Sequence, residues 1–241
     1  MKVYAYMEHG SGKTVSEDAM LANGLLLKDG YVACSHSGTC VAIADGVGGN
    51  AGGKEASEFV LQKCNEGLGQ DARNAIIEIN NALLQYATTY PGMEQMATTL
   101  SAIIFAEEKP ISIVHIGNTR ISAIQGDYLK QLTTDHTTSE WLRSRGDYEA
   151  AEQAPKNEIT GCLGSGNAAR LSQLQTRDID REYGGFIISS DGIHDYLNEE
   201  VIEDFIGQHD YSEKAFQELF NRASDAGSTD DKSMIVIRLW E

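Results

Sequence analysis

The chain has 241 residues, 41% of them hydrophobic and 23% charged, a globular balance long enough to bury a substantial core in one domain. It carries 36 acids against 19 lysines and arginines, for a formal net charge of −17, which repels polyanions and argues against any nucleic-acid partner. Four cysteines with no C-x-x-C pair, an N-terminus "MKVYAYMEHG" that is no signal peptide and no apolar run of about eighteen residues point to a reduced, cytoplasmic protein without membrane contact. Only three prolines occur and no linker-like run is present, so a single domain over 1–241 is expected.

Near the start, "MEHGSGKTVSEDAM" (7–20) sets two readings against each other. "GSGKT" resembles the end of a phosphate loop, G-x-x-x-x-G-K-[ST], but Met7 stands where the first glycine is needed. A second near-match, "GGNAGGKE", spaces Gly48, Gly53 and Lys54 correctly but puts Glu55 at the Ser/Thr position. Further along, apolar runs bounded by turn residues predict strands at "CVAIADG", "LSAIIFA", "ISIVHIG", "RISAIQG", "GGFIISSDG" and "SMIVIRLW". Several are apolar almost throughout, as strands enclosed on both faces are. Between the first two, Ala56, Phe59, Val60, Cys64 and Leu68 fall on one helical face, and Ile76, Ile79, Leu83, Tyr86 and Tyr90 on another. Later helices are predicted near "TTSEWLRS", at 198–206 and at 212–224. Strands grouped in this way predict an α+β fold of antiparallel sheets flanked by helices instead of a βαβ repeat, which also weakens the phosphate-loop reading.

Three segments place an acid at the end of an apolar strand: "VAIADGVGG" with Asp45 and Gly46, "FIISSDGIHD" with Asp191 and Gly192, and "GSTDDKSMIVI" with Asp230 and Asp231. A strand end fixes a carboxylate, and a neighbouring glycine admits backbone carbonyls and water. Hard divalent cations such as magnesium or manganese take these oxygen ligands. Any one Asp-Gly pair also reads as a simple hairpin turn; three such sites together with "SED" read better as a metal centre.

With these segments in view, the chain resembles the PPM metal-dependent protein phosphatases, also called protein phosphatase 2C-like. The resemblance runs in order through "SEDA" (16–19), "ADGVGGNAGGKEAS" (44–57), "MATTL" (96–100) and "HIGNTR" (115–120). It continues through "LTTDHT" (132–137), "NEITGCLG" (157–164), "ISSDGIHD" (188–195) and "GSTDDKS" (227–233). It implies an α-β-β-α sandwich, two central, mostly antiparallel sheets flanked by helix pairs, with two Mn2+ or Mg2+ ions at one end. Carried over by position, Asp45 would bridge the metals, the Gly46 carbonyl would bind one, and Asp191 and Asp230 would bind the other. Glu17 and Asp18 would hold water there or support the ligands. The implied reaction is hydrolysis of phosphoserine or phosphothreonine without a covalent intermediate. Implied partners are phosphoproteins, substrates of a Ser/Thr kinase, acted on by a monomer. "GKT" is then a coincidence.

The chain departs from the family pattern in places. Where the family has a phosphate-binding Arg, this chain has Lys13, a point charge instead of a bidentate fork. "GNTR" carries Asn118 where many bacterial members have Asp, so any third metal site should be weak. Asp231 replaces the amide that usually follows the last metal-binding acid. Val47 follows the first "DG" where eukaryotic members often have His; His194 is the nearest substitute but reads as a surface or packing residue. His136 reads as structural and His115 as buried. The residues 138–156 read as a flap near the site or as a surface helix and loop. A catalytically weak phosphatase-like binding module is the alternative function, suggested by Lys13 and Asn118; retention of Asp45, Gly46, Asp191 and Asp230 argues against it.

Overall fold

A computed structural model describes residues 1–35, 38–48, 51–68, 71–106, 110–179 and 182–239. Two residues of the 44–57 motif, Gly49 and Asn50, and Trp240 of the last predicted strand lie outside the described residues. The chain begins with strands β1 (Lys2–Glu8), β2 (Ala19–Ala22), β3 (Leu25–Leu27), β4 (Gly30–Ser35) and β5 (Cys40–Ala44). Helices α1 (Gly53–Glu66) and α2 (Ala72–Ala87) follow, then β6 (Ala97–Thr98), β7 (Leu100–Ile104), β8 (Ile111–Ile116), β9 (Arg120–Gln125) and β10 (Tyr128–Gln131). Next come α3 (Thr138–Ser144), α4 (Tyr148–Gln153), β11 (Leu163–Gly164), α5 (Ala168–Leu171), β12 (Gln175–Ile179) and β13 (Gly185–Ser189). The chain closes with α6 (Asp191–His194), α7 (Glu199–Gly207), α8 (Glu213–Asp225) and β14 (Lys232–Arg238).

Among the described residues the strands form two six-stranded sheets, ordered β10-β9-β13-β14-β1-β4 and β12-β8-β7-β5-β2-β3, with β11-β6 as a small extra pair. The strand pairs within both large sheets are antiparallel. Strand alternation explains why so many strands are apolar on both faces. In β5, Val41 and Ile43 point between the sheets, while Cys40, Ala42 and Ala44 meet α1 and α2. In β14, Ile235 and Ile237 fill the intersheet layer, while Met234 and Val236 meet Phe216, Leu219 and Phe220 of α8 and Phe205 of α7. The layers are therefore helix pair, sheet, sheet, helix pair.

All six strands predicted from the apolar runs are present, and the predicted helices appear within a residue or two. The amphipathic face assigned to Ile76, Ile79, Leu83 and Tyr86 does not extend to Tyr90: α2 ends at Ala87, and Tyr90 is 37% exposed, its hydroxyl 2.9 Å from that of Tyr86. Leu68 likewise lies past the end of α1, although it is buried. Among the described residues, no helix is long and apolar enough to cross a membrane.

Candidate active site

The acids singled out in the sequence come from loops at one end of the sandwich. Asp45 directly follows β5 and its backbone is fixed by the "ATT" segment. Its N–H donates to Thr99 Oγ1 at 3.0 Å, and its carbonyl accepts from Thr99 N at 2.8 Å and Thr98 Oγ1 at 2.9 Å. Gly46 bridges to Thr98 and donates its N–H to the Glu17 carbonyl at 3.2 Å. A Cβ on Gly46 would lie 2.5 Å from the carbonyl carbon of Gly53, so a bare backbone is what lets α1 start this close to the acids. The Glu17 carboxylate lies against that same helix start, where the positive end of the helix dipole favours it.

Asp18 enters β2 from the facing loop. It is 3% exposed and accepts a hydrogen bond from Ser233 Oγ in β14 at 2.5 Å. Asp191 opens the single turn α6, and Asn118, in the turn between β8 and β9, donates Nδ2 to Asp191 Oδ2 at 2.8 Å. Asp230 and Asp231 lead into β14. Both sheets thus contribute acids to one cluster.

Electrostatics tie Asp18, Asp45 and Asp191 together. Burial, followed by the charges of Asp18, Asp191 and Asp230, pushes the Asp45 carboxyl well above the usual carboxylate range, and Asp45 and Asp18 share a side-chain hydrogen bond. Asp18 is pushed up to about 7, first by burial, with Asp231 and Asp191 adding to it and the Ser233 hydroxyl opposing. Asp191 is also pushed up to about 7 by burial, then by Asp230 and Asp195, against the Asn118 amide. Carboxylates crowded in a dry site hold protons unless a cation replaces them.

Lys13 lies beside this group. Its Nζ is 2.8 Å from Asp231 Oδ2, 3.2 Å from Asp230 Oδ1 and 3.4 Å from Glu17 Oε2. Burial disfavours the ammonium, but the hydrogen bond and charge of Asp231, then Asp230, outweigh it and raise its pKa. Asp231, which stands where the family pattern usually has an amide, is 3% exposed and also accepts from the N–H groups of Gly10 (2.7 Å) and Glu17 (2.8 Å). It fastens the whole 10–17 loop. Asp230 is the outward neighbour, with its side chain 51% exposed.

Sequence reasoning passed over Arg120. Its Nε and Nη2 grip Asp135 Oδ2 at 3.0 and 2.7 Å, and Asp195 lies 3.9 Å away. The signal was present: "HIGNTR", "TDHT" and "DGIHD" each contribute one member. His194, His115 and His136 are all shifted toward the neutral imidazole. Burial, then the Arg120 charge, lowers His194 well below the imidazole range while Ser189 Oγ holds its Nδ1 at 2.9 Å. Burial takes His115 down to about 3 and His136 to about 4. Their rings pack 4.8 Å apart, and His136 Nδ1 accepts from the Gly117 N–H, fixing the turn that carries Asn118.

The donor set suits a hard divalent cation. It is all oxygen, its acids are driven toward protonation without a positive charge, and the buried Asn118 Oδ1 has no hydrogen-bond partner among the described residues. Among the described residues no three Asp, Glu, His or Cys side chains close into a cage for an ion. An open set, completed by a backbone carbonyl and water, is the arrangement magnesium-like cations take.

Comparison with known proteins follows the same lines. Residues 18–233 match the family model for protein phosphatase 2C. The serine/threonine protein phosphatase PstP of Mycobacterium tuberculosis is 27% identical over 98% of this chain, which spans 44% of that protein's length. The serine/threonine phosphatase stp of Listeria welshimeri is 26% identical over 82% of this chain and 83% of its own. The crystal structure of the M. tuberculosis phosphatase superposes with a TM-score of 0.79, 25% identity and full coverage of both chains. A PstP catalytic-domain structure in complex with two manganese ions superposes with a TM-score of 0.75, 25% identity and 99% coverage of both. The chain belongs to the protein phosphatase 2C family.

Proposed function

We propose that this protein is a metal-dependent protein serine/threonine phosphatase, hydrolysing phosphoserine or phosphothreonine by direct attack of water. The observation that carries the reading is the group Asp18, Asp45 and Asp191, carboxylates brought together at one end of the sandwich and pushed toward protonation first by burial and then by the charges of neighbouring acids. Such a group suits two divalent cations, Mn2+ or Mg2+, held by Asp45, the Gly46 carbonyl, Asp191 and Asp230, with Glu17 and Asp18 orienting water. When bound, a cation pair lowers the pKa of water and neutralises charge in an in-line displacement at phosphorus.

The chain's own groups do the rest. The Thr98 and Thr99 contacts hold Asp45 at the strand end, and Asn118 orients the Asp191 carboxylate. Asp231 anchors the loop bearing Glu17, Asp18 and Lys13. The Lys13 ammonium, with a side chain one-third exposed, contacts the substrate phosphate. An amide at Asn118 lacks the charge of a carboxylate, so a third metal site is weak.

The reading extends to a single catalytic domain over 1–241, working as a monomer on phosphoproteins made by a Ser/Thr kinase. Four free cysteines, three of them buried, support a reducing, cytoplasmic setting. The test is phosphothreonine-peptide hydrolysis by the chelator-treated protein, with and without added manganese. Turnover that needs manganese is expected; none under either condition would sink the reading.

A further inference from the structure

Asn118, which touches Asp191, also lines a cavity of about 180 Å³ reaching toward α3 and Lys156 in the loop after α4. Its wall carries three cations, Arg120, Arg143 and Lys156, against two carboxylates, Asp135 and Asp195. In a chain of net charge −17 this is a local reversal of sign beside the acid cluster.

The three cations are not equally committed. Arg120 is locked onto Asp135 by paired hydrogen bonds at 3.0 and 2.7 Å. Arg143, its side chain half exposed, lies 3.7 Å from the partly exposed Glu140, a long pair near the surface that holds its partner weakly. Lys156 Nζ reaches the Asp195 carbonyl at 3.4 Å, too long for a strong contact. Both are free to turn to a better anion, and both lie in the segment the sequence marked as a flap.

We propose that this cavity is a specificity subsite for a carboxylate of the substrate, an Asp or Glu side chain close in sequence to the phosphorylated residue, held by Arg143 and Lys156. The inference rests on the phosphatase reading. Arg143 offers a planar fork that matches a carboxylate, and Lys156, lining the same cavity, adds a second charge. Elsewhere the protein's field repels acidic peptides, so attraction confined to this recess selects where along the substrate the negative charge must lie.

The test uses the manganese-loaded full chain and phosphothreonine peptides in which one Glu is moved through the flanking positions, each paired with its Gln counterpart. At one or two positions the Glu peptide should be favoured by roughly fivefold to tenfold in kcat/KM, the scale of a partly exposed charge-assisted contact. The preference should collapse toward one in R143Q/K156Q and persist in part in Arg143→Lys. Equal use of Glu and Gln peptides at every position, or a preference that survives R143Q/K156Q, overturns the proposal. Neither result touches the phosphatase reading, which fails only if no peptide of the series is hydrolysed.

Discussion

The two sides of the acid cluster handle the same problem differently. On one side Asp18, Asp45 and Asp191 are buried among other acids, and first burial, then those neighbouring charges, raise their proton affinities. On the other, Asp230, Asp231 and Glu17 converge on the ammonium of Lys13, whose own pKa is raised in return. Where the chain supplies its own cation, Asp231 is a structural partner, and Asp230 and Glu17 are partly neutralised at the edge of the proposed metal site. Where it does not, the proposed site is left for a foreign cation to complete.

Asp45 is where the two sides differ most. Asp45→Asn should reduce manganese-dependent turnover by well over a hundredfold, since even second-layer partners of metal ligands cost about 10- to 100-fold. The same substitution should stabilise the chelator-treated protein at pH 8, because a neutral amide relieves the repulsion. Kinetics and calorimetry on one variant read both effects, and a less stable metal-free Asp45→Asn would show that repulsion is not what governs this side.

Acidity sharpens the contrast next. Asp18 and Asp191, ordinarily near 3.8, hold their protons up to about 7 in the folded chain. Between those values the folded state binds more protons than the unfolded, so the metal-free protein loses stability as pH rises through the window. His115 and His136, lowered from 6.5 to about 3 and about 4, act in the opposite sense. Their contribution is full above 6.5 and is lost as pH falls toward those values. Urea unfolding across pH should therefore show a manganese-dependent stabilisation that grows from about pH 4 to 7. The loaded protein should weaken on the acid side alone. A manganese effect that is flat with pH would contradict this account.

The smallest effects belong to the self-neutralised side. Lys13→Ala leaves the buried Asp231 with two N–H donors and no cation, at a cost of roughly 1–3 kcal/mol, and raises KM more than it lowers kcat if the ammonium grips ground-state phosphate. Asp231→Asn keeps an acceptor for Gly10 and Glu17 and should cost less. Because the two residues share one interaction, the double variant should fall short of the sum. Additivity in that cycle would mean that each acts alone.

Much of this was legible in the chain itself, for identifiable reasons. Strands with apolar residues on both faces, such as β5 and β14, declare themselves because both faces are covered. The strand-end acids Asp45 and Asp191 stand out because an acid after an apolar run is unusual. β1 escaped notice because its alternation of Val3, Ala5 and Met7 with Tyr4 and Tyr6 puts aromatics against the helices and reads as an unremarkable start. The division of labour between Asp230 and Asp231 was hidden because two adjacent acids point to opposite sides of a strand entry, and only tertiary packing decides which is enclosed. The same holds for Arg120, whose partners Asp135 and Asp195 lie 15 and 75 positions away in the numbering and meet it only through the fold.

The pairing of β1 with β14 places Lys2 opposite Arg238 and Glu8 opposite Lys232. Contacts of such sequence separation form late, since a long loop must close before they gain anything. A nascent chain emerging from the ribosome can build the sheet containing β5, β7 and β8 early, but β1 waits with an open edge beside β4 until β14 arrives. That last strand also brings Asp230 and Asp231. A translation product truncated before β14 would therefore have an incomplete acid cluster and an unpaired strand edge prone to aggregation, so the acid cluster is withheld until β14 is in place.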